Sequence, residues 1–287
     1  GEVITTPFSY VATTSSLVWE GITPVFSDID AKTFNIDPKK IESKITAKTS
    51  AILATHVYGN PCEIDAIQEI ADKHGLKVIY DAAHCFGAMY KGKSVMSYGD
   101  ISTISFHATK LFHTTEGGAV ITNDRNIHDK LFFLRNFGHN GPDKFKEVGI
   151  NGKNSEFHAA MGICNLKYVA EILKKRKILH SIYDQLLMGV EIEKPAFIEG
   201  DYNYSYYPIL FNSNKIREEV FVGLANEGVF ARKYFYPLLT KLNYVEASDV
   251  PVAESIADRI LCLPMYHDIT EAEIAVVSQL VQKIIND

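Results

Sequence analysis

Cysteine is scarce in this sequence and lacks the spacing of a metal site or a disulfide framework. The 287 residues contain four cysteines, which are Cys62, Cys85, Cys164 and Cys262. No two of them form a C-x-x-C pair, which argues against a zinc site and against a disulfide-stabilised scaffold. Histidine adds no metal site, because the His107/His113 and His84/Cys85 spacings do not suit tetrahedral ligation. We expect reduced, mostly buried thiols in a cytoplasmic protein without a bound metal.

Excess positive charge and long apolar runs are also lacking. The formal net charge is −6, and the short basic run at residues 174–177 is typical of the solvated face of a helix. These features argue against a nucleic-acid-binding surface. No stretch reaches the roughly 18 apolar residues that a membrane-spanning helix needs. Residues 1–5 do not resemble the start of a secretory signal, so we expect neither a membrane nor a nucleic-acid partner.

Two common enzyme motifs are absent as well. No G-x-G-x-x-G follows the first predicted strand, which counts against a dinucleotide-dependent dehydrogenase. No G-x-S-x-G is present, which counts against an α/β-hydrolase. The sequence does contain 46% hydrophobic and 22% charged residues, a balance that suits one large domain and a smaller one.

The first half of the chain alternates strand and helix patterns. Six segments have β-branched and apolar residues between turn signals and therefore predict strands. These segments are residues 2–6, 23–27, 50–55, 76–80, 101–105 and 118–122. Between the third and the fourth, Ile64–His74 has apolar residues at helical spacing and ends at Gly75. The alternation predicts an α/β fold, in which a mostly parallel sheet lies between two layers of helices.

The second half of the chain is more helical. A helical pattern without proline extends from Ser155 to about Leu187 and predicts one long connecting helix. A small α+β domain is predicted beyond it, from a strand at 202–211, a helix at 215–227, a strand near 259–263 and a final helix at 271–285. We therefore divide the chain into a large domain at 1–165, a connecting helix at 166–190 and a small domain at 191–287.

Asp81 directly follows the predicted strand that ends at Tyr80. In parallel α/β sheets, the carboxyl ends of the strands carry ligand-binding groups, and a carboxylate there could keep a ring nitrogen protonated. Aspartate is also a favoured N-cap residue, so a helix cap is the more common interpretation. Nearby Cys85 has two interpretations too, since it could be a nucleophile paired with histidine or an inert core thiol. The segment alone does not decide between these alternatives.

Lys110 follows the strand that ends at Ser105 and precedes a turn at residues 116–118, where glycine allows close approach of the backbone to a ligand. A partly desolvated lysine has a lowered pKa, and its neutral amine can attack an aldehyde. Ser105 could direct its hydroxyl at a phosphate oxygen. A solvated surface lysine is the alternative interpretation, and the spacing leaves both open.

Two further segments are candidates for binding. Asn151 and Lys153 precede the long predicted helix, where they could bind an anion at its N-terminus. Ser155 or its neighbour could instead simply cap that helix. Arg232, near the C-terminus, is a candidate substrate contact, and a surface salt bridge is its alternative interpretation.

Taken in order, these segments resemble the DegT/StrS family of nucleotide-sugar aminotransferases, a branch of the fold-type-I pyridoxal-phosphate (PLP) enzymes. The resemblance covers nearly the whole chain. The matching segments are residues 2–13, 56–61, 81–84, 105–110, 116–118, 149–153 and 232–237. It implies the type I aminotransferase fold, PLP as the cofactor, and a homodimer whose sites lie across a two-fold interface.

The resemblance also implies roles for individual residues. Lys110 would hold PLP as a Schiff base and carry protons, and Asp81 would pair with the pyridinium nitrogen. His84 would lie beside the cofactor ring, and Tyr10 would stack on it. The remaining assignments are Ser105 to the cofactor phosphate, Asn151 to the phosphate of the partner subunit's cofactor, and Lys153 and Arg232 to the substrate.

The implied reaction is amino transfer from glutamate to a nucleotide-linked keto-deoxysugar, dTDP-4-keto-6-deoxyglucose, for surface-polysaccharide amino sugars. Lys110 supports transamination, because the family's PLP-dependent sugar dehydratases have histidine in its place. Family members carry a Gly-Thr loop that binds the cofactor phosphate before the strand at residues 2–6, whereas this chain begins at that strand. The alternative hypothesis is therefore a truncated or non-catalytic relative that binds a sugar nucleotide or a partner without turnover.

Overall fold

A computed structural model describes residues 1–198 and 202–286. The strands are β1 (Glu2–Thr5), β2 (Thr23–Phe26), β3 (Thr49–Thr55), β4 (Lys77–Asp81), β5 (Met89–Tyr90), β6 (Lys93–Ser94), β7 (Ile101–Ser105), β8 (Gly118–Ile121), β9 (Ile192–Glu193), β10 (Tyr207–Phe211) and β11 (Ile260–Leu263). The α-helices are α1 (Val11–Trp19), α2 (Pro38–Ile41), α3 (Ile64–His74), α4 (Arg125–Leu134), α5 (Glu156–Leu166), α6 (Val169–Leu186), α7 (Asn214–Asn226), α8 (Pro251–Arg259) and α9 (Glu271–Asn286). Short 3-10 helices span Glu42–Lys44, Val57–Gly59, Val95–Ser97 and Leu239–Lys241. None of the helices in these residues is long and apolar enough to cross a membrane.

The central sheet contains all six strands that the sequence predicts in the first half. Their order is β2-β1-β3-β4-β7-β8. The first five strands are parallel to their neighbours, and β8 runs antiparallel to β7. The observed strand ends differ from the predicted ends by at most one residue. The prediction of a mostly parallel sheet is therefore confirmed.

Helices cover both faces of this sheet. On one face, Ile52 of β3 lies in a buried cluster with Ile64 and Ile67 of α3. On the other face, Leu53 lies in a second cluster with Leu17 of α1. Consecutive strand residues point to opposite faces, so the near-continuous apolar run of β3 supplies both interfaces. The predicted three-layer α/β/α arrangement is confirmed.

Helix α3 has the bounds that its sequence predicts. Its apolar positions Ile64, Ile67 and Ala71 are buried. Gly75 follows with a φ of 66°, in the left-handed region that glycine adopts at little cost. The helix therefore stops at this residue, and the chain turns directly into β4.

The C-terminal half forms a smaller α+β unit. Strands β9, β10 and β11 make an antiparallel sheet in the order β11-β10-β9. Buried residues of α6, α7 and α9 share one apolar cluster with β10 and β11. The strand predicted at residues 202–211 is shorter than expected, since only β10 pairs with neighbours. The predicted ends of α7, β11 and α9 agree with the structure to within one residue.

The two halves of the chain are joined by buried contacts. The ring of Tyr58 stacks on that of Phe235, with centroids 5.8 Å apart. The buried carboxylate of Asp28 accepts hydrogen bonds from the backbone N–H groups of Val252 at 3.1 Å and Ala253 at 2.9 Å. These two residues begin α8, where a negative charge is favourable. The smaller unit is thereby fixed against the sheet.

The one long connecting helix of the prediction is wrong, because two helices, α5 and α6, occupy that part of the chain. The side chain of Asn165 donates a hydrogen bond of 2.9 Å to the carbonyl of His113. The carbonyl of Asn165 accepts from the N–H of Tyr168 at 3.0 Å, three residues on. Asparagine side chains compete with helix in this way. A contact to a residue so distant in sequence leaves no trace in helical periodicity.

His56 makes the stability of the fold depend on pH. Burial lowers the pKa of its imidazole from 6.5 to about 3. Because the unfolded chain binds this proton more readily, the stability of the fold is fully retained above pH 6.5 and is lost as the pH falls towards 3. At pH 5, the loss of unfolding free energy from this group amounts to about 2 kcal/mol, at about 1.4 kcal/mol per unit.

Urea unfolding at pH 7 and pH 5 measures this loss in the native chain and in His56→Asn. The asparagine oxygen can accept the hydrogen bond that His56 Nδ1 takes from the N–H of Cys62 at 3.0 Å. We expect the variant to lose about 2 kcal/mol less than the native chain between the two pH values. Other histidines titrate in both proteins and cancel, so equal losses would show that His56 is not responsible.

Candidate active site

Asp81 lies at the carboxyl end of β4, at the edge of the sheet where ligand-binding groups were expected. Its Oδ2 accepts a hydrogen bond of 2.8 Å from the hydroxyl of Thr13, and its Oδ1 accepts one of 3.1 Å from the N–H of Ala83. In the described residues, the carboxylate forms no ion pair. The helix-cap interpretation is wrong, because the residues that follow form a turn and not a helix.

A series of hydrogen-bonded hydroxyl groups ends at the carboxylate of Asp81. Thr55 donates to the hydroxyl of Ser9 at 3.1 Å, and Ser9 and Thr13 are hydrogen-bonded at 2.8 Å. Since Thr13 donates to Asp81 and Thr55 donates to Ser9, all three hydroxyl protons point towards the carboxylate. Thr13 was not among the predicted site residues, and its position three residues after Tyr10 was its only sequence signal. This arrangement fixes the orientation of the Asp81 carboxylate at the sheet edge.

His84 is buried against aromatic rings from the other half of the chain. Its imidazole stacks on Phe235 at 8° with centroids 5.7 Å apart, and Tyr206 and Tyr234 contact it at 4.8 and 5.9 Å. Burial and the nearby charge of Lys110 hold the pKa of His84 well below its ordinary value. Its Nδ1 is buried and has no hydrogen-bond partner within residues 1–198 and 202–286. The site therefore contains a neutral imidazole with a free nitrogen, and sequence periodicity could not predict the rings that hold it.

Lys110 lies in the loop after β7, half-buried beside Asp81. Burial lowers the pKa of its amine, the charge of Asp81 opposes this effect, and the charge of Arg232 adds to it. The loop is fixed by a hydrogen bond of 2.9 Å from the N–H of Lys110 to the carbonyl of His107. A small cleft brings Lys110 together with His84 and Ser105. The surface-lysine interpretation is therefore wrong, and the amine is placed for nucleophilic chemistry.

A cavity of about 710 Å³ opens beside Lys110. Its walls come from the Lys110 loop, from α5 and α6, and from the smaller unit, with Tyr206 and Arg232 among the lining residues. Arg232 forms no ion pair in the part of the chain that the structure describes. No salt bridge of Arg232 is thus seen in these residues, and its assignment as a substrate contact stays a prediction. This volume suits a ligand considerably larger than an amino acid.

Three other predicted site residues line neither the cavity nor the small cleft beside Lys110. Tyr10 is 57% exposed at the start of α1. Asn151 is exposed and pairs through its backbone with Asn136, whose side-chain oxygen accepts a hydrogen bond from Lys153 at 2.8 Å. Lys153 does not line the cavity. Within one copy of the chain, Asn151 and Lys153 are thus not brought to the site.

Two of the alternative interpretations are also decided by the structure. Ser155 caps α5, since its hydroxyl accepts a hydrogen bond from the N–H of His158. The capping interpretation is thus confirmed for Ser155, and the anion site at Asn151 and Lys153 stays a prediction. Cys85 is buried, and burial together with the charge of Asp81 raises the pKa of its thiol well above the ordinary value. A raised pKa opposes a thiolate nucleophile, so Cys85 is a core residue.

Comparison with known proteins places this site in a family. The model of the DegT/DnrJ/EryC1/StrS aminotransferase family matches residues 1–282. The chain belongs to this family. Aminotransferases of the DegT/DnrJ/EryC1/StrS family depend on PLP, and this chain is accordingly a PLP-dependent aminotransferase of the sugar-modifying type. The resemblance seen in the sequence segments is confirmed.

Several members of the DegT/DnrJ/EryC1/StrS family are similar over almost the whole chain. A dTDP-4-amino-4,6-dideoxy-D-glucose transaminase from Shigella dysenteriae is 44% identical over 279 residues, which cover 94% of this chain and 76% of that enzyme. A GDP-perosamine synthase from Caulobacter vibrioides is 35% identical over 283 residues, which cover 95% of this chain and 76% of that enzyme. The crystal structure of DesI in the presence of its TDP-sugar product superposes with a TM-score of 0.94 at 35% identity, over 99% of this chain and 75% of that one.

The residues at the sheet edge fit PLP. A carboxylate without a cationic partner, Asp81, suits a protonated ring nitrogen. The buried Nδ1 of His84 has no partner among the described residues and suits a polar substituent of the ring. The amine of Lys110, with a pKa lowered by burial, suits covalent attachment of an aldehyde. The site thus offers one group for each polar feature of the cofactor ring.

Proposed function

We propose that this chain transfers an amino group from glutamate to dTDP-4-keto-6-deoxyglucose. The observation that carries the proposal is the position of Lys110, whose half-buried amine lies beside Asp81 and also lines the large cavity. A substrate in that cavity can present its carbonyl carbon to the same amine that the cofactor requires. The Shigella relative acts on a dTDP-linked amino sugar by its name, which supports the choice of nucleotide and sugar.

The proposed cofactor contacts follow from the geometry and from the family resemblance. Residues that would hold PLP are Asp81 at the ring nitrogen, His84 beside the ring, Ser105 at the phosphate, Tyr10 on the ring face, Lys110 at the aldehyde carbon and Asn151 of a second copy. Bound PLP supplies an electron-withdrawing ring that stabilises negative charge on the carbon that loses a proton. Asp81, supported by donated hydroxyl protons, is suited to keep that ring nitrogen protonated.

Lys110 has two tasks in this proposal. Its amine binds the cofactor at rest, and once released it takes a proton from the donor carbon and returns one to the sugar carbon. A lowered pKa suits both tasks, because more of the amine is neutral near neutral pH. The aromatic rings around His84 restrict water on the other side of the site. The contacts proposed for the substrate are Arg232 from the same chain and Lys153 from a second copy.

We further propose a homodimer that acts in the synthesis of surface-polysaccharide amino sugars. The apolar side chains of Phe157, Met161, Ile163 and Leu166 on α5 are exposed in the single chain. Such a surface is typical of an interface between subunits. Since α5 follows Asn151 and Lys153 closely, a second copy docked there could receive these residues at its own site.

The experiment that tests the proposed function supplies the chain with PLP, glutamate and dTDP-4-keto-6-deoxyglucose. We expect formation of the dTDP-linked 4-amino sugar together with 2-oxoglutarate. A GDP-linked 4-keto-6-deoxy sugar serves as the comparison, because a GDP-perosamine synthase is among the relatives. Preference for the GDP substrate would refute the choice of nucleotide, and absence of product from either would favour a relative that binds without turnover.

A further inference from the structure

Arg176 is a buried cation without an acidic partner. Only 6% of the residue is exposed. Its Nη1 donates to the carbonyl oxygens of Tyr204, Ser205 and Met265 at 3.4, 3.0 and 3.3 Å, whereas its Nε is buried with no partner. Throughout residues 1–198 and 202–286, no carboxylate pairs with it. Buried charges are normally paired, so among the described residues this guanidinium lacks the anion that its burial calls for.

Arg176 lines the same cavity as Lys110. The charged residues of its wall are Lys110, Lys175, Arg176, Arg232, Glu171 and Asp268. Apart from Lys110, whose amine has a lowered pKa, three cations therefore face two carboxylates, which leaves an excess of one positive charge inside the cavity. The chain as a whole has a net charge of −6. A cationic cavity in an acidic protein concentrates the field on an anionic ligand.

The positions of the cations indicate how far such a ligand extends. Arg232 is the cation whose charge acts on the amine of Lys110. Arg176 projects from α6, and its Nη1 is held by carbonyls that precede β10 and follow β11. Lys110 and Arg176 both line the cavity, so a single ligand can contact both. Glutamate is small for a space of about 710 Å³, whereas a sugar nucleotide is long enough.

We propose that Arg176 binds the diphosphate of a sugar nucleotide whose sugar carbonyl reaches Lys110. This inference rests on the proposed function and adds to it the residue that recognises the phosphates. Arginine presents several N–H donors in one rigid plane, which suits phosphate oxygens. The hydrogen bonds of Nη1 fix that plane before the ligand arrives, so little side-chain freedom is lost on binding. The negative charge of the diphosphate is complementary to the net positive charge of the cavity wall.

Isothermal titration calorimetry of the full chain with dTDP, dTMP and thymidine tests this phosphate site without any need for catalysis. In the native chain, we expect dTDP to bind at least about tenfold more tightly than thymidine. In Arg176→Gln, the affinity for dTDP should fall by about 10- to 100-fold while that for thymidine is unchanged. Arg217→Gln is the matched control, because Arg217 is equally buried but pairs with Glu218 and does not line the cavity. Its affinity for dTDP should equal that of the native chain.

Several outcomes would overturn this assignment. If the native chain bound dTDP and thymidine with equal affinity, the cavity would have no phosphate site and the assignment would be overturned. If a folded Arg176→Gln variant bound dTDP with native affinity, Arg176 would not be the residue that binds the phosphates. If the variant instead loses only its reaction with glutamate, followed by bleaching of the PLP absorption, the anion at Arg176 is the donor carboxylate. Arg176-dependent dTDP binding without product from keto sugars would refute the proposed function alone.

Discussion

Replacing Lys110 with alanine is expected to lower the rate of amino-sugar formation by at least about 10³-fold. Positioned proton transfer alone contributes about 10²- to 10⁴-fold, and the variant also loses the amine that attaches the cofactor. The amine is half-buried next to Asp81 and lines the substrate cavity, and no other lysine shares the small cleft with His84 and Ser105 in the described residues. The measurement is the rate of product formation together with the visible absorption of the bound cofactor.

The control for this variant is Lys130→Ala, which removes an exposed lysine of α4 that is remote from the cavity. It should retain both the native rate and the native absorption. We expect Lys110→Ala to bind PLP without the absorption band of the lysine-bound form. A Lys110→Ala protein with more than about a tenth of native activity would show that another group moves the protons.

Replacing Asp81 with asparagine is expected to lower kcat by about 10²- to 10³-fold, the cost of removing one preorganised electrostatic group from a reacting site. Asparagine has the same shape: its single amide oxygen can accept the hydrogen bond from the N–H of Ala83, and its NH2 group can donate to the hydroxyl of Thr13. It has no negative charge, so it cannot keep a ring nitrogen protonated. The fold should therefore persist while the electron-withdrawing power of the bound cofactor decreases.

Steady-state kinetics of two further variants provide values of kcat with which that of Asp81→Asn can be compared. Thr13→Val removes one hydrogen bond of 2.8 Å to Asp81 and should lower kcat about tenfold. Asp72→Asn changes an exposed carboxylate of α3 and should leave kcat unchanged. A kcat for Asp81→Asn equal to that of Asp72→Asn would mean that the carboxylate is only structural.

The sequence predicts the sheet edge of this site well, because it depends on local patterns. Strands of buried β-branched residues end at Asp81 and Ser105, and strand order in parallel sheets brings such ends together. The family resemblance then supplies the roles. What the sequence does not predict depends on contacts between distant segments. The packing of Phe235 on His84 and the pairing of Arg176 with carbonyls near residues 204–205 and 265 have no local pattern.

The wrong predictions have the same physical origin. Helical periodicity continues across the turn between α5 and α6, because the side chain of Asn165 that pins the end of α5 finds its partner in the Lys110 loop. Asp81 has the residue type of a helix cap, but its partner is the hydroxyl of Thr13 and no helix begins there. Residue type and spacing indicate which local structures a segment favours in the absence of tertiary contacts. The tertiary partner decides which of the favoured states is adopted.

The bond between Asp28 and the start of α8 has a consequence for protein engineering. The simplest chimera of two relatives would exchange the C-terminal unit as one cassette. Here that cassette would leave behind the carboxylate that accepts the N–H groups of Val252 and Ala253, and the ring of Tyr58 that stacks on Phe235. A chimera of two relatives must therefore take Asp28 and Tyr58 from the same parent as Val252, Ala253 and Phe235. The crossover points then lie inside the sheet and not at the boundary between the two units.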